Sequence, residues 1–553
     1  MPVDPITVSV VQHRLFAIVE EMGEAMLRTS YSQILNSSRD FSTALADPRG
    51  RLIAQAEHVP IHVGALPFAV RAIQEAFEGA IRPGDVFLLN DPYRGGNHLP
   101  DLTAFVPVFA EGKHLFWAIN RAHQSDIGGS THGAYNPAAT EIWQEGIRIP
   151  PLRLYDGGRL REDVLELLAL NVRHPRDFKG DLAAMIGSAR VGARRLEALL
   201  AELGTTRALE AIEAVLDGAE RRVRAILASW PDGSWYGEAV LDDDGHGREN
   251  VTIRARVSKR GSDLEVDLGD SDPECEGFVN SSLANTYSAC VVALAYLVDP
   301  DIPKNDGAFR PLSVKTREGT VVHPREGRPV TLCTNHCGQE IIEAIVKALA
   351  PVCPERAMAG WGRRFRVALR GIDPRTRRPF LWHLFQARPG GGASAAGDGW
   401  PAAGEWQAAG GIKFGSLEVQ EVRFPLFFLR HELRPDSGGD GEHRGGPGAI
   451  LEMRVEVEEP AVANTAGDGI RHGACGILGG RDGAPHDYRL RAPDGTERIL
   501  KTKEVGIRVE PGAVLVARSG GGGGWGDPAR RSARARARDR AEGYTSDGGE
   551  TEP

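Results

Sequence analysis

The sequence predicts an α+β protein of more than one domain, with an N-terminal mixed α/β domain followed by β-rich and glycine-rich C-terminal regions. Three observations lead there. Apolar residues at helical spacing open the chain at Val11, Leu15, Val19, Met22 and Met26. Three short apolar runs, at 86–89, 104–109 and 115–119, are separated by Gly, Pro and Asp and read as neighbouring strands. From about Gly237 the pattern changes to alternating apolar and polar residues, then to glycine clusters. A chain of 553 residues is too long for one core. We therefore expect divisions at 1–236 (an N-terminal metal-site domain with a helical extension), 237–528 (an α+β region) and 529–553 (a disordered tail).

The helix-period pattern at 4–29 predicts a scaffold helix. Phe41 to Ala46, the turn Asp47-Pro48-Arg49-Gly50 and Arg51 to Ala54 predict a hairpin, with Asp40 just before its first strand. A carboxylate at that strand entry can face a metal loop or cap a turn. His58 and His62 are four apart, but Pro60 between them opposes a helix that would stack them, so they read as loop histidines facing a pocket. A helix over 66–77 leads into the three strands. Residues 130–158, rich in Gly, Pro and Asn, read as a long ordered loop in which Tyr135 and Trp143 could wall a substrate pocket or pack on the scaffold. Helices follow over 161–229, broken near Gly204-Thr205.

Farther on, Lys259-Arg260-Gly261-Ser262 marks a hairpin, and helices are predicted over 283–297 and 340–349. The glycine-dense stretch at 388–415 contains no Gly-x4-Gly-Lys-Ser/Thr and reads as flexible or tightly turned loop, as do 435–448 and 519–528. The last segment mixes basic then acidic residues without a core pattern and reads as disordered.

Composition excludes several classes. A net charge of -9 argues against a nucleic-acid surface, and no apolar run reaches bilayer-spanning length. The N-terminus lacks the order of a secretory signal, so the cytoplasm is the expected location. Six cysteines are too few for a disulfide framework; Cys333, His336 and Cys337 are close in sequence but lack a fourth ligand, so buried free thiols are expected.

The chemistry concentrates around the three strands. His98-Leu99-Pro100-Asp101 and His123-Gln124-Ser125-Asp126 repeat a His-x-x-Asp pattern. If the second and third strands form a hairpin, its open end carries both copies to one place, giving mixed nitrogen and oxygen donors suited to zinc or manganese. The competing reading is two turn-forming aspartates beside surface histidines.

With these motifs in hand, the chain resembles the B subunit of the hydantoinase and 5-oxoprolinase family. That family also includes the large subunits of ATP-dependent acetone and acetophenone carboxylases and the caprolactamase B subunit. The resemblance rests on SSRDFSTAL (37–45), HVPIHVGALP (58–67), NDPYRGGNHLPD (90–101), NRAHQSDIGG (120–129), EGIRIPP (145–151), DIPKNDGAFRP (301–311), SLEVQEVRFP (416–425), DSGGDGEHRGGPG (436–448) and SGGGGGWGDP (519–528). It implies one divalent metal, Zn or Mn, held by Asp40, His98, Asp101 and His123. Asp126 and His62 are then proton-handling residues, or residues that orient a ligand imidazole. It also implies a separate hydantoinase A-type subunit that uses ATP to phosphorylate a cyclic amide, and ring opening by water activated in this chain. Two alternatives stand beside it: the large subunit of an ATP-dependent ketone carboxylase, and a scaffold subunit whose metal is structural. The segment TLCTNHCGQEI at 331–341 and the lack of an acidic closing helix depart from the pattern.

Overall fold

The computed structural model describes residues 3–546. Helix α1 (Pro5–Thr29) starts at Asp4, whose carboxylate accepts from the Thr7 N–H at 2.9 Å, with Pro5 where no N–H is needed. Its buried stripe includes Val11, Leu15, Val19, Met22 and Met26, the residues whose spacing predicts it. Strands β1 (Phe41–Ala46) and β2 (Leu52–Ala56) form the expected hairpin; α2 (Leu66–Ala76) leads to β3 (Val86–Leu89), β4 (Asp101–Ala110) and β5 (Lys113–His123); β6 (Leu152–Asp156) and β7 (Arg159–Leu160) follow. These strands make one seven-stranded sheet in the order β2-β1-β5-β4-β3-β6-β7.

Register gives the central strands a polar end and an apolar end. Paired residues in adjacent strands share a face, so Ala44, Ile119 and Phe105 lie in one row and form a core with Leu66, Val70 and Ile73 of α2. The next row is Ser42, Arg121 and Thr103, and the row beyond is closed by His123 opposite Asp101. Helices α3 (Glu162–Leu170), α4 (Pro175–Leu203) and α5 (Thr205–Ser229) follow, the last two separated at Gly204, whose φ of 77° no helix tolerates. On the opposite face of the sheet, Asn120 Nδ2 donates to Ser188 Oγ at 3.0 Å and Thr43 Oγ1 to Val19 O at 2.8 Å.

Strands β8 (Gly233–Asp243), β9 (Glu249–Arg260) and β10 (Asp263–Asp267) precede α6 (Leu283–Leu297) and β11 (Leu312–Lys315), giving the sheet order β11-β10-β9-β8. After α7 (Gly338–Leu349) come β12 (Phe365–Asp373), β13 (Arg378–His383), β14 (Leu426–Leu433), β15 (Ala449–Val455), β16 (Ala461–Gly467), β17 (Asp487–Arg491), β18 (Glu497–Ile499), β19 (Lys503–Val509), β20 (Val514–Arg518) and α8 (Ala533–Ala541). They form sheets β13-β12-β16-β19 and β14-β15-β20-β17-β18, whose apolar residues, among them Val367, Trp382, Met453, Tyr488 and Leu515, share one core.

The chain groups into two compact units. The first comprises the chain through Ala134, Ala139–Trp235 and Arg256–Thr334; the second comprises Tyr135–Ala138, Tyr236–Ala255 and the chain from Asn335 onward. Both divisions near 235 and 255 fall within the long strands β8 and β9.

Two expectations for the second unit are corrected. The glycine-rich stretches are more than local turns; their backbones pack against one another as a hydrogen-bonded lattice. The 519–526 segment lies at its centre, where Gly522 N donates to Gly446 O (2.9 Å), Gly523 N to Gly360 O (2.8 Å) and Gly524 N to Arg481 O (2.9 Å), while Gly390 N and Ala393 N donate to its Gly520 and Gly523 carbonyls (both 3.0 Å). A Cβ on Gly522 would lie 2.0 Å from Gly391 O, and one on Gly523 would lie 1.9 Å from Cys475 O. These glycines are required by close backbone approach, since neither has a positive φ. The tail is likewise ordered as far as residue 546: Ser532 caps α8, and Asp539 on that helix pairs with Arg531 and, at 3.2 Å, with Arg444. Residues 547–553 of the expected disordered tail lie outside the described residues.

Candidate metal centre

The open end of the β4–β5 hairpin brings three of the four predicted ligands, His98, Asp101 and His123, together. Asp101 is the first residue of β4 and His123 the last of β5, and the two are register partners. His98 reaches the same point from the turn before β4. Asp101 Oδ1 lies 2.9 Å from His98 Nε2 and 3.2 Å from His123 Nδ1, and the two ring nitrogens are 3.2 Å apart. Cation ligands at the usual bond lengths of about 2.0–2.2 Å are separated by roughly 2.9–3.4 Å, so this triangle has the edges of a coordination face. All three side chains are buried.

The proton positions support the fit. His98 Nδ1 is 2.5 Å from the Thr331 carbonyl, which can only accept, so Nδ1 carries the proton and Nε2 turns its lone pair toward the triangle. Asn97 Nδ2 donates to Asp101 Oδ2 at 3.3 Å, and Asn97 Oδ1 accepts from Arg121 at 3.0 Å. Arg121 also donates to Thr103 Oγ1 and the His62 carbonyl, each at 2.8 Å; burial lowers its pKa to about 10.

Asp40 immediately precedes β1, and its carbonyl accepts from the His123 N–H at 3.0 Å, extending the strand ladder by one residue. The row Asp40, His123 and Asp101 therefore crosses three adjacent strands. His62, on the 3-10 turn Pro60–His62, places Nε2 3.5 Å from both Asp40 Oδ1 and Asp101 Oδ2. Burial, only partly opposed by Asp101, lowers the His62 pKa to about 4 and keeps the imidazole neutral. For Asp101 burial alone would raise the pKa, but His62 and His98, with hydrogen bonds to His123 and His98, hold the carboxyl well below its ordinary value. His58 packs instead on the Phe41 ring, 4.7 Å between centroids.

Asp126 does not orient an imidazole. Its oxygens accept from Gly128 N (3.3 Å), Arg173 N (2.8 Å) and Arg173 Nη1 (3.0 Å), because the chain turns at Ser125 and carries the carboxylate to the start of α4. Arg173 in turn donates to Gly128 O at 3.1 Å and Gly129 O at 2.7 Å, so Asp126 anchors the loop that follows the centre. In that loop Trp143 is largely exposed, whereas Tyr135 is buried beneath the Arg366 guanidinium, 4.2 Å from its ring centroid. Sequence reasoning missed Asn97, Arg121 and the Thr331 carbonyl. The signals were present in NHLPD, NRAHQSD and the atypical 331–341 segment, but backbone acceptors leave no residue-type signature.

A second group, His336, Glu340 and Asp468, also places donor atoms within 4.8 Å of one another. Here cationic side chains already occupy the ligand positions: Arg363 pairs with Glu340, and Lys503 lies 3.3 Å from Asp468. Arg364 N donates to His336 Nε2 at 3.1 Å, which turns the protonated Nδ1 toward Glu340 at 3.0 Å. This group is a buried charge network. All six cysteines are buried free thiols, as expected. Among the described residues no helix is long and apolar enough to cross a membrane.

Comparison with known proteins gives one consistent result. The sequence profile described as hydantoinase B/oxoprolinase matches residues 4–528. The chain is 36% identical over 536 residues to the caprolactamase subunit beta of Pseudomonas jessenii, covering 96% of this chain and 92% of that one. Its fold matches the crystal structure of the ATP-dependent caprolactamase from Pseudomonas jessenii with a TM-score of 0.91 at 35% identity, covering 98% of this chain and 95% of that chain. It also matches the nucleotide-free structure of an acetone carboxylase with a TM-score of 0.88 at 21% identity, covering 98% and 78%, a likeness of fold.

Proposed function

The chain belongs to the hydantoinase B/oxoprolinase family, and from that membership and the geometry of the centre we propose that it is the metal-dependent, ring-opening subunit of an ATP-dependent cyclic-amide hydrolase. The observation that carries the reading is the buried triangle of Asp101, His98 and His123, closed by a cross-strand register pair. The donor set fits a divalent cation of the zinc or manganese class, which when bound would supply Lewis-acid activation of water and of the amide carbonyl.

The chain's own residues do the rest. His98, His123 and Asp101 would hold the cation, and Asp40 completes the polar row beside them. His62 Nε2 lies 3.5 Å from both Asp40 and Asp101, which places it to pass a proton between the attacking water and the leaving nitrogen. The row of Ala44, Ile119 and Phe105 forms the buried apolar floor beside that polar end. Activation of the amide oxygen by ATP belongs to a partner subunit, consistent with the name subunit beta of the caprolactamase relative.

The test is metal analysis of the purified chain, then ring opening of ε-caprolactam, 5-oxoproline and hydantoin with ATP and the partner subunit. A bound divalent ion that is lost, together with ring opening, in His123→Ala is the expected result. Full ring opening by metal-free protein sinks the metal role, and ATP-dependent incorporation of labelled bicarbonate into a ketone moves the assignment to a carboxylase.

A further inference from the structure

Glu145 is a buried carboxylate that the function proposed above does not use. It is 2% exposed and is gripped by two backbone amides, with the Thr331 hydroxyl beside them: Val330 N donates to Oε2 and Thr331 N to Oε1, each at 2.9 Å. Among the described residues no Lys or Arg forms an ion pair with it. A carboxylate buried without a cation is costly, and burial, opposed by the two N–H bonds, raises its pKa to about 7. Val330 and Thr331 are themselves fully buried, so their N–H groups need acceptors. A single neutral acceptor could meet one of those needs; this chain places a forked carboxyl there that meets both.

What the fork fixes is the residue that holds His98. The Thr331 carbonyl accepts from His98 Nδ1 at 2.5 Å, and the N–H of the same peptide, on Leu332, donates to Phe278 O at 3.1 Å. With Val330 and Thr331 gripped by Glu145 and the following peptide held by Phe278, that carbonyl has one direction, toward His98. We propose that Glu145 is a positioning residue for the metal centre: by clamping the Val330 and Thr331 amides it aims the Thr331 carbonyl at His98 and fixes the tautomer that presents Nε2 to the cation. The inference rests on His98 being a metal ligand.

The support behind Glu145 is equally specific. Its N–H donates to Ile142 O at 3.0 Å, closing a 3-10 turn. Gly129, at φ 77°, lies against it so closely that a Cβ there would be 2.7 Å from the Glu145 carbonyl. Arg173, held by Asp126, grips the Gly128 and Gly129 carbonyls. A continuous path therefore runs from Asp126 through Arg173, Gly129 and Glu145 to Thr331 and His98. It explains why two separate acidic residues of this region, neither facing the centre, are both buried.

The experiment compares wild type, Glu145→Gln, Glu145→Ala and His98→Ala in the full chain. Affinities for Zn2+ and Mn2+ come from competition with a chelator, and the coordination geometry from the visible spectrum of the Co2+ form. Glu145→Gln keeps the shape and one acceptor oxygen, so it holds the fold and part of the clamp. We expect affinity to fall in the order wild type, Glu145→Gln, Glu145→Ala, by roughly 10- to 100-fold in total, with a shifted Co2+ spectrum in both variants. A merely structural role lowers melting temperature while leaving affinity and spectrum per folded molecule unchanged, and that result in Glu145→Gln overturns the proposal. If His98→Ala also binds metal like wild type, the failure lies with the metal centre itself; if His98→Ala alone loses metal, only the role of Glu145 fails.

Discussion

The end of the β4–β5 hairpin and the glycine lattice around 519–526 are both densely packed and largely buried, yet they are built on opposite logic. The first works by side chains: three donor atoms 2.9–3.2 Å apart, with His98 oriented by the Thr331 carbonyl and Asp101 by Asn97. The second works by missing side chains: backbone carbonyls occupy the volume where a Cβ would be, as close as 1.8 Å at Gly521. Substitution should therefore separate function from stability in opposite ways in the two regions.

The largest expected effect is on chemistry. Asp101→Asn keeps shape and volume but removes the charge that the imidazoles surround, and activity should drop by roughly 10^4-fold, about 5 kcal/mol of transition-state stabilisation. Chemical denaturation should show a much smaller change in stability. The inverse case is Gly522→Ala. Backbone lies on both sides, and the added methyl meets Gly391 O at 2.0 Å, so relief requires moving a whole segment. A loss of roughly 4 kcal/mol, at the upper end for overpacking, is expected in denaturant melts, while ring opening per folded molecule stays near wild type. Equal losses of activity and stability in both variants would erase the distinction.

The same contrast governs what was legible in the sequence. The hairpin, its paired His-x-x-Asp ends and the helix over 283–297 follow from periodicity and turn residues, which encode local geometry. Whether Asp101 and Asp126 do the same job was not legible. His123 and Asp126 are three residues apart like His98 and Asp101, but one pair is closed by strand register and the other is pulled away by Arg173, a partner 47 residues distant. The glycines at 388–415 and 519–528 misled for a related reason. Composition reports conformational freedom, whereas here glycine answers to the approach of backbone from elsewhere in the chain. The segment at 530–540 reads as disordered because the groups that hold it, Asp398 paired with Arg531 and Arg444 paired with Asp539, lie about a hundred residues upstream or more.

A third effect, smaller at moderate pH, sharpens the view of the lattice as a neutral structure. His486 joins it to the sheets: Nδ1 accepts from Gly520 N at 2.8 Å, and Nε2 donates to Arg363 O at 2.7 Å. Burial lowers its pKa from 6.5 to about 4, so the unfolded chain binds the proton first. The stabilisation is fully present above pH 6.5, and is lost as pH falls through 4. Between pH 7 and 5 this group alone should cost about 2 kcal/mol, read from denaturant midpoints. His486→Gln, which can still accept from Gly520 N, should flatten that part of the profile. An unchanged slope would place the acid sensitivity in other groups, such as His336, whose pKa burial also lowers to about 4.

The smallest effect concerns the boundary of the second region. Helix α8 (Ala533–Ala541) begins at Ser532, whose hydroxyl accepts from Ala535 N at 3.1 Å, and its inner face is tied down by Asp539. Ser532→Ala removes the cap and should cost about 1 kcal/mol, confined to this helix. Asp539→Asn should cost more, because it leaves the buried Arg444 and Arg531 without a shared carboxylate. Hydrogen exchange at 533–541 is the measurement, since local opening there need not disturb the rest of the unit. Protection in the wild type that Asp539→Asn loses, with the 519–526 amides still protected, shows that the lattice is complete without the helix. Joint loss of both would instead make α8 part of the lattice's outer wall.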